Sequence, residues 1–366
     1  MLVKDIIEVI EGYAPPMYQE SYDNCGLQVG NVIDEVTGVL ISLDVTEAIL
    51  EEAISRNCNM IVSHHPLIFS GLKKISGRTY VERVVRKAIK NDISIYAAHT
   101  NLDNMYAGVN GKIAEKLGLK DIQILVPKTN TLSKLYTYAP LSAADMVRDA
   151  LFAAGAGHIS KYRECSFNMT GTGTFRPGID AYPAIGKADG AREWVEEVKI
   201  EVIVEKHNEG AVLRSLFANH PYEEVAYELI PLPNPNQEIG AGMTGILPTP
   251  MPENEFLAFL KRQMKTDCIR HTELSGKDIK KVAVCGGSGS FLLNDAIRAK
   301  ADIFITGDFK YHQFFDAEGK IIIADIGHYE SEQFTSEIFE ATLKKKFPNF
   351  AILLSNLSTT PVKYFC

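Results

Sequence analysis

The chain has no C-x-x-C pair, a single tryptophan, and no apolar run approaching the length of a membrane span. Its six cysteines, Cys25, Cys58, Cys165, Cys268, Cys285 and Cys366, are scattered without framework spacing. That excludes a disulfide scaffold, argues against structural zinc on sulfur, and reads as the reduced thiols of a cytoplasmic protein. Basic residues are in deficit, with 38 Lys and Arg against 46 Asp and Glu for a formal charge of −8. Non-specific phosphate binding rests on clustered Lys and Arg, so DNA is not the expected partner. The opening residues, MLVKDIIEVIEGYAPP, set Leu2, Val3, Ile6, Ile7 and Ile10 at helical spacing with acids between them. This is an amphipathic surface helix, not a signal peptide, and no membrane association follows from it.

What is present is ordinary globular material: 366 residues, 46% hydrophobic and 23% charged. At about 150 residues per domain this length makes two or three folding units. The first third alternates β-rich runs (39–45, 59–63, 93–99) with amphipathic helical stretches, and the last third repeats the pattern at 281–287, 302–308 and 320–328. Both predict parallel sheet with helices on its faces. The two thirds also align with each other. Val39 to Ser63 lies over Val282 to Thr306 at a constant offset, and Ile95 to Asp103 matches Ala324 to Glu332, which places His99 on His328 and Asp103 on Glu332. The reading is a duplicated α/β unit forming one domain, 1–126 with 237–366. Between the copies, 127–236 runs strand, helix, two strands, helix, strand and ends in PNPNQ. That order predicts a ferredoxin-like α+β domain inserted into the other.

Ligands of parallel sheets gather beyond the carboxyl ends of the strands. There the sequence carries His64-His65-Pro66 after NMIVS, His99 with Asp103 after ISIYAA, and His328 with Glu332 after KIIIADIG. Pro66 biases His65 toward extended backbone, so the adjacent imidazoles can splay toward two ions. His328 and Glu332 stand one helical turn apart and can point at one site. Imidazole with carboxylate and no thiolate suits Zn(II), Mn(II), Fe(II), Co(II) or Ni(II), with zinc the first expectation. The ligand set His64, His65, Asp103, His328 and Glu332 exceeds what one catalytic ion takes from protein, so two divalent ions per chain are expected. His99 is left as an orienting group or a general acid/base. His158, His207, His220 and His271 lie in the insert and linker and read as structural or surface residues.

Three features stay open. Cys285-Gly-Gly-Ser-Gly-Ser follows a strand, so its amides either cradle an anion or form a tight turn without a ligand. Asp308, in TGD, is either an acid supporting the metal ligands or a helix cap, with the cap the cheaper reading. Asp44, at the end of the first strand, is read as a cap of the helix after it.

YDNCGLQVG (22–30), SHHPLIF (63–69), HTNLDNMYAGVN (99–110), GGSG (286–289), ITGDFKYH (305–312) and DIGHYESE (325–332) together resemble the Nif-three-like dinuclear-metal proteins, often labelled GTP cyclohydrolase 1 type 2 homologues. The insert, with its GTGTF and HPYEEVAY stretches, resembles the PII/CutA-like insert of the longer bacterial members. Carried over by motif, the resemblance implies metal ligands at His64, His65, Asp103, His328 and Glu332. It also implies a toroidal homohexamer with its metal sites facing an internal cavity. Tyr22 stands where the family commonly has Trp. The function expected is a dinuclear-metal hydrolase acting on a small polar or nucleotide substrate, GTP in a cyclohydrolase reaction or a phosphoester among them. The alternative is a metal-binding regulatory assembly whose ring is gated by ligands of the insert. A ring that threads DNA is disfavoured by the net charge.

Overall fold

In the computed structural model, which describes residues 1–365, the chain is a mixed α/β protein with three sheets. It divides into two compact units, Met1–Pro127 with Glu238–Cys366, and Lys128–Gln237. Cys366 lies outside the described residues; the other five cysteines are free thiols.

The amphipathic opening becomes α1 (Val3–Tyr13), which buries Val3, Ile6, Ile7 and Ile10. Next come β1 (Gly26–Val29), β2 (Val39–Ser42), α2 (Glu47–Ser55), β3 (Met60–Ser63), α3 (Tyr80–Lys90), β4 (Ser94–Ala97), α4 (Thr100–Asp103), α5 (Val109–Lys116) and β5 (Lys120–Lys128). Thr46 and Thr79 cap α2 and α3 through their hydroxyls, each accepting from an amide three residues on. In the second unit are β6 (Leu132–Pro140), α6 (Ala144–Ala153), β7 (Ser166–Phe175), β8 (Glu193–Glu205), α7 (Glu209–Asn219) and β9 (Tyr227–Leu232). The chain returns through β10 (Asn236–Met251), α8 (Glu253–Gln263), β11 (Arg270–His271), β12 (Ile279–Ser288), α9 (Leu293–Arg298), β13 (Ile303–Gly307), β14 (Ile322–Asp325), α10 (His328–Glu332), α11 (Thr335–Lys346) and β15 (Ile352–Leu354).

Two sheets build the first unit, ordered β1-β4-β3-β2-β15 and β11-β14-β13-β12-β10-β5. Their centres match: β2, β3 and β4 run parallel, as do β12, β13 and β14, and each set ends on an antiparallel edge strand, β1 or β11. The central strands are buried on both faces, which is why they read as unbroken apolar runs. Val39, Ile41, Met60 and Val62 share one core with Val282, Val284, Ile303 and Ile305, while Leu40, Ile61 and Ile95 face an outer core against α2 and α3. Ala283, Phe304 and Ile323 fill the corresponding outer core of the second sheet.

The second unit is one antiparallel sheet, β7-β8-β6-β9, with α6 and α7 on one face. Along β8, Val198, Ile200, Val202 and Val204 pack on Val147, Leu151, Val212 and Leu216, and the residues between them face away. That alternation is the mark of a sheet covered on one side. Among the described residues no helix is long and apolar enough to cross a membrane.

Candidate metal centre

The first unit brings all the ligand-type residues of the strand ends together. His64 and His65 follow β3 directly, and both of their amides donate to the Leu43 carbonyl, at 3.2 and 2.9 Å. This shared acceptor turns the chain sharply, leaving the two rings 5.0 Å apart and tilted by 45°. His99 precedes α4 and Asp103 closes it; His328 opens α10 and Glu332 closes it.

Glu332 stands at the centre, its side chain 2% exposed. One carboxylate oxygen lies 2.9 Å from His65 Nε2 and 3.1 Å from His328 Nε2, and the other 3.8 Å from His64 Nε2. His64 Nε2 is 3.4 Å from Asp103 Oδ1. Three donor groups result, each with its atoms within 4.8 Å of one another: His65, His328 and Glu332; His64, Asp103 and Glu332; and His64, His65 and His99. Glu332 is common to the first two. A carboxylate in that position is placed to bridge two cations.

His64, His65 and His328 present Nε2 to the centre, and in these rings and that of His99 Nδ1 is engaged elsewhere. His64 Nδ1 lies 2.9 Å from the Ala98 carbonyl, His65 Nδ1 2.7 Å from Asp44, His99 Nδ1 2.9 Å from Asp23, and His328 Nδ1 2.7 Å from Asp308. A proton on Nδ1 donated to these acceptors fixes the tautomer that leaves Nε2 as a lone pair, the arrangement found around protein-bound metals.

What remains unsatisfied in the centre is what a cation would satisfy. His64 Nε2 and Asp103 Oδ1 are buried and have no hydrogen-bond partner. The Nε2 atoms of His65 and His328 face each other at 3.2 Å, and two lone pairs at that distance repel unless a proton or a metal ion intervenes. Burial opposes charge on both rings, yet Asp44 and Glu332 push the His65 pKa up to about 10, and Asp308 and Glu332 push that of His328 up to about 11. Burial and the nearby Glu332 raise Asp103, whereas the surrounding histidines, His328 foremost, overcome burial and hold Glu332 well below the usual carboxylate range. Imidazole nitrogens and carboxylate oxygens without thiolate suit borderline divalent ions, so the residues fit the metal that the sequence suggests.

A family model described as Duf34/NIF3 (NGG1p interacting factor 3) matches residues 1–361. The chain belongs to the Duf34/NIF3 family. Relatives called GTP cyclohydrolase 1 type 2 homolog, from Halalkalibacterium halodurans and Bacillus subtilis, are 40% and 38% identical to it over 365 and 367 residues. These alignments cover 98% and 99% of this chain and 98% of each relative. The crystal structure of a Bacillus cereus protein related to NIF3 superposes with a TM-score of 0.89 at 37% identity, covering 100% of this chain and 99% of that one.

The readings that the sequence left open for Asp44 and Asp308 are decided within this centre. Asp44 and Asp308 are not caps. Thr46 caps α2, and Asp44 turns to His65; Asp308, held in left-handed backbone (φ 60°), turns to His328. For the glycine segment that ends β12, the turn without a ligand is the reading the amides favour. Its three glycine amides are already used: Gly286 donates to Asn110, Gly287 to Ser331 and Gly289 to Thr306, at 2.9, 2.9 and 3.0 Å. Its glycines serve the centre by leaving room, since a Cβ on Gly287 would meet Glu332 Oε1 at 2.3 Å.

Asp23 is the acid that periodicity does not disclose. It accepts from His99, from the Thr100 amide at 3.0 Å and from the Thr100 hydroxyl. These bonds outweigh burial and keep its carboxyl far below the ordinary range. The centre opens on two sides. A cavity of about 950 Å³ is lined by His65, His99, His328, Arg270, Phe69 and Tyr364, and a smaller one of about 220 Å³ by Tyr22, His99, Asp103, Cys285 and Glu332. His99 borders both.

Proposed function

We propose that this protein is a divalent-metal-dependent hydrolase of small polar or nucleotide substrates, working with two ions per chain, zinc foremost. The observation that carries this reading is the pair of donor groups sharing Glu332, with buried donor atoms left unsatisfied in the second of them. His65, His328 and Glu332 would hold one ion; His64, Asp103 and Glu332 the other. When bound, such ions supply Lewis acidity and a water that ionises near neutral pH.

The chain's own residues supply the rest. Asp23 holds the His99 ring with Nε2 toward the centre, where it can accept a proton from an attacking water or return one to a leaving group. The larger cavity, with Arg270 and Tyr364 at its wall, has the volume of a small-molecule site. The relatives' name, GTP cyclohydrolase 1 type 2 homolog, makes GTP the first substrate to test. In the inserted unit, the strand order β7-β8-β6-β9 in a strand-helix-strand-strand-helix-strand chain supports a ferredoxin-like module.

Elemental analysis of protein purified without added metal tests the centre. About two ions per chain are expected in the wild type, falling to about one or fewer in His328→Ala. Metal-loaded wild type is then incubated with GTP and with phosphoester substrates, and products are separated by chromatography. A folded protein without metal overturns the centre; a metal-loaded protein inert toward every substrate overturns the hydrolase and favours a regulatory assembly.

A further inference from the structure

The inserted unit holds a cavity of its own, of about 400 Å³, which the metal chemistry does not use. Its wall is aromatic where Tyr138, Phe175 and Tyr222 line it, with the Phe175 and Tyr222 rings 6.0 Å apart at 57°. The residues that line it include three acids, Glu197, Glu223 and Glu224, against one arginine, Arg176. Arg176 and Glu223 also tie down the loop over it. Arg176 Nε donates to the Gly190 carbonyl at 3.0 Å, and the Tyr182 amide donates to Glu223 at 2.8 Å.

Glu197 is the chemically telling residue. The Tyr222 hydroxyl donates to one of its oxygens at 2.8 Å. Burial and that carboxylate raise the Tyr222 phenol well above its ordinary value, so it stays a donor. Glu197 Oε2 lies directly over Gly173, where a Cβ would sit 1.9 Å from it, and none of the described residues donates a hydrogen bond to it. The glycine in β7 thus makes the space that lets the carboxylate lie flat in the cavity. A half-buried carboxylate with an unused oxygen calls for a donor or a positive charge, and aromatic faces attract the same kind of ligand through their quadrupoles.

We propose that the inserted unit binds a small organic ammonium ion in this cavity, with Glu197 as its counter-charge and Tyr138, Phe175 and Tyr222 as its aromatic wall. The site is separate from the metal centre in residues and in chemistry. An anion would meet more carboxylate than guanidinium charge there, and a neutral donor would satisfy Glu197 Oε2 without the positive charge that the aromatic faces attract.

Calorimetric titration of the full-length protein tests this with choline and ethanolamine as probes and 3,3-dimethylbutan-1-ol as the uncharged isostere of choline. At least one ammonium probe should bind, choline about tenfold tighter than its isostere if it is the one that fits. Glu197→Gln should weaken that probe by about tenfold or more while leaving the isostere unchanged. Phe175→Leu should weaken it to a smaller degree, and His328→Ala should leave it unchanged. Circular dichroism and melting temperature confirm that the variants are folded. The proposal is overturned if neither ammonium probe binds up to about 10 mM. It is equally overturned if choline binds no better than its isostere and ethanolamine not at all, if Glu197→Gln binds as the wild type does, or if His328→Ala abolishes binding.

Discussion

At Gly287 the centre depends on a side chain that is not there. The residue sits at φ 62°, and a Cβ would stand 2.3 Å from Glu332 Oε1 and 3.3 Å from His328 Cε1. Gly118 offers the comparison, because at φ 66° it has the same backbone demand but nothing within 4 Å of its Cβ position. Gly118→Ala should therefore cost only the left-handed strain, about 1 kcal/mol in a denaturant titration, and keep its metal. Gly287→Ala adds displacement of Glu332, so metal content should fall by half or more and the loss of stability should exceed that of the Gly118 variant. Equal metal content in the two variants would show that Glu332 does not need the space. The ligand-type residues themselves were legible in the sequence, because strand ends of parallel sheets are where ligands gather and three of those ends, after β3, β4 and β14, carry His or an acid. Their orienting acids were not. Asp23 meets His99 across 76 residues and Asp44 meets His65 across 21, distances over which no local pattern speaks. A capping reading of Asp44 was locally sound, and it gave way because Thr46 supplied the cap more directly.

At the scale of elements, the strands and helices that support the centre are locally determined, and α3 shows how. Glu82, in its first turn, accepts from the Ser76 amide and hydroxyl at 2.9 and 2.7 Å and from the Arg78 amide at 3.0 Å. It folds the preceding loop back onto the helix terminus, where its negative charge is also favoured by the helix dipole. The Ser76 hydroxyl first, then the Arg78 amide, lower its pKa from 4.5 to about 2. A depressed carboxylate stabilises the fold above its unfolded pKa, and the contribution is lost as pH falls through the folded value. The melting temperature of wild type should thus exceed that of Glu82→Gln at neutral pH. The gap should narrow between pH 4.5 and about 2. A gap independent of pH would mean that shape, not charge, organises this loop. The apolar runs of β2, β3, β12 and β13 announced parallel sheet correctly, since strands buried on both faces carry no polar alternation. The edge strands β1, β11 and β15 were harder to see. At 4, 2 and 3 residues they are held by their neighbours in the sheet, with little propensity of their own.

At the scale of the whole molecule, the proposed metal donors come from both ends of the chain: His64, His65 and Asp103 before the insertion, His328 and Glu332 after it. Folding the first unit therefore gathers buried Glu332, half-buried Asp103 and several imidazoles into one place, and leaves His64 Nε2 and Asp103 Oδ1 with a desolvation cost that no protein group offsets. A divalent ion that binds only the assembled centre lowers the free energy of the folded state and leaves the unfolded chain unaffected. Chelation followed by dialysis should lower the melting temperature. Adding zinc back to about a hundredfold excess over its dissociation constant should restore about 2.7 kcal/mol of stability. The gain should disappear in Glu332→Gln, which removes the shared charge but keeps the side-chain volume. The inserted unit supplies an internal control, because none of the donor residues lies between Lys128 and Gln237. Hydrogen exchange in β6 and β8 should respond little to zinc, whereas β3, β4 and β14 should gain protection. If both units respond equally, the ion is acting away from the centre, and the assignment of these donors falls with it.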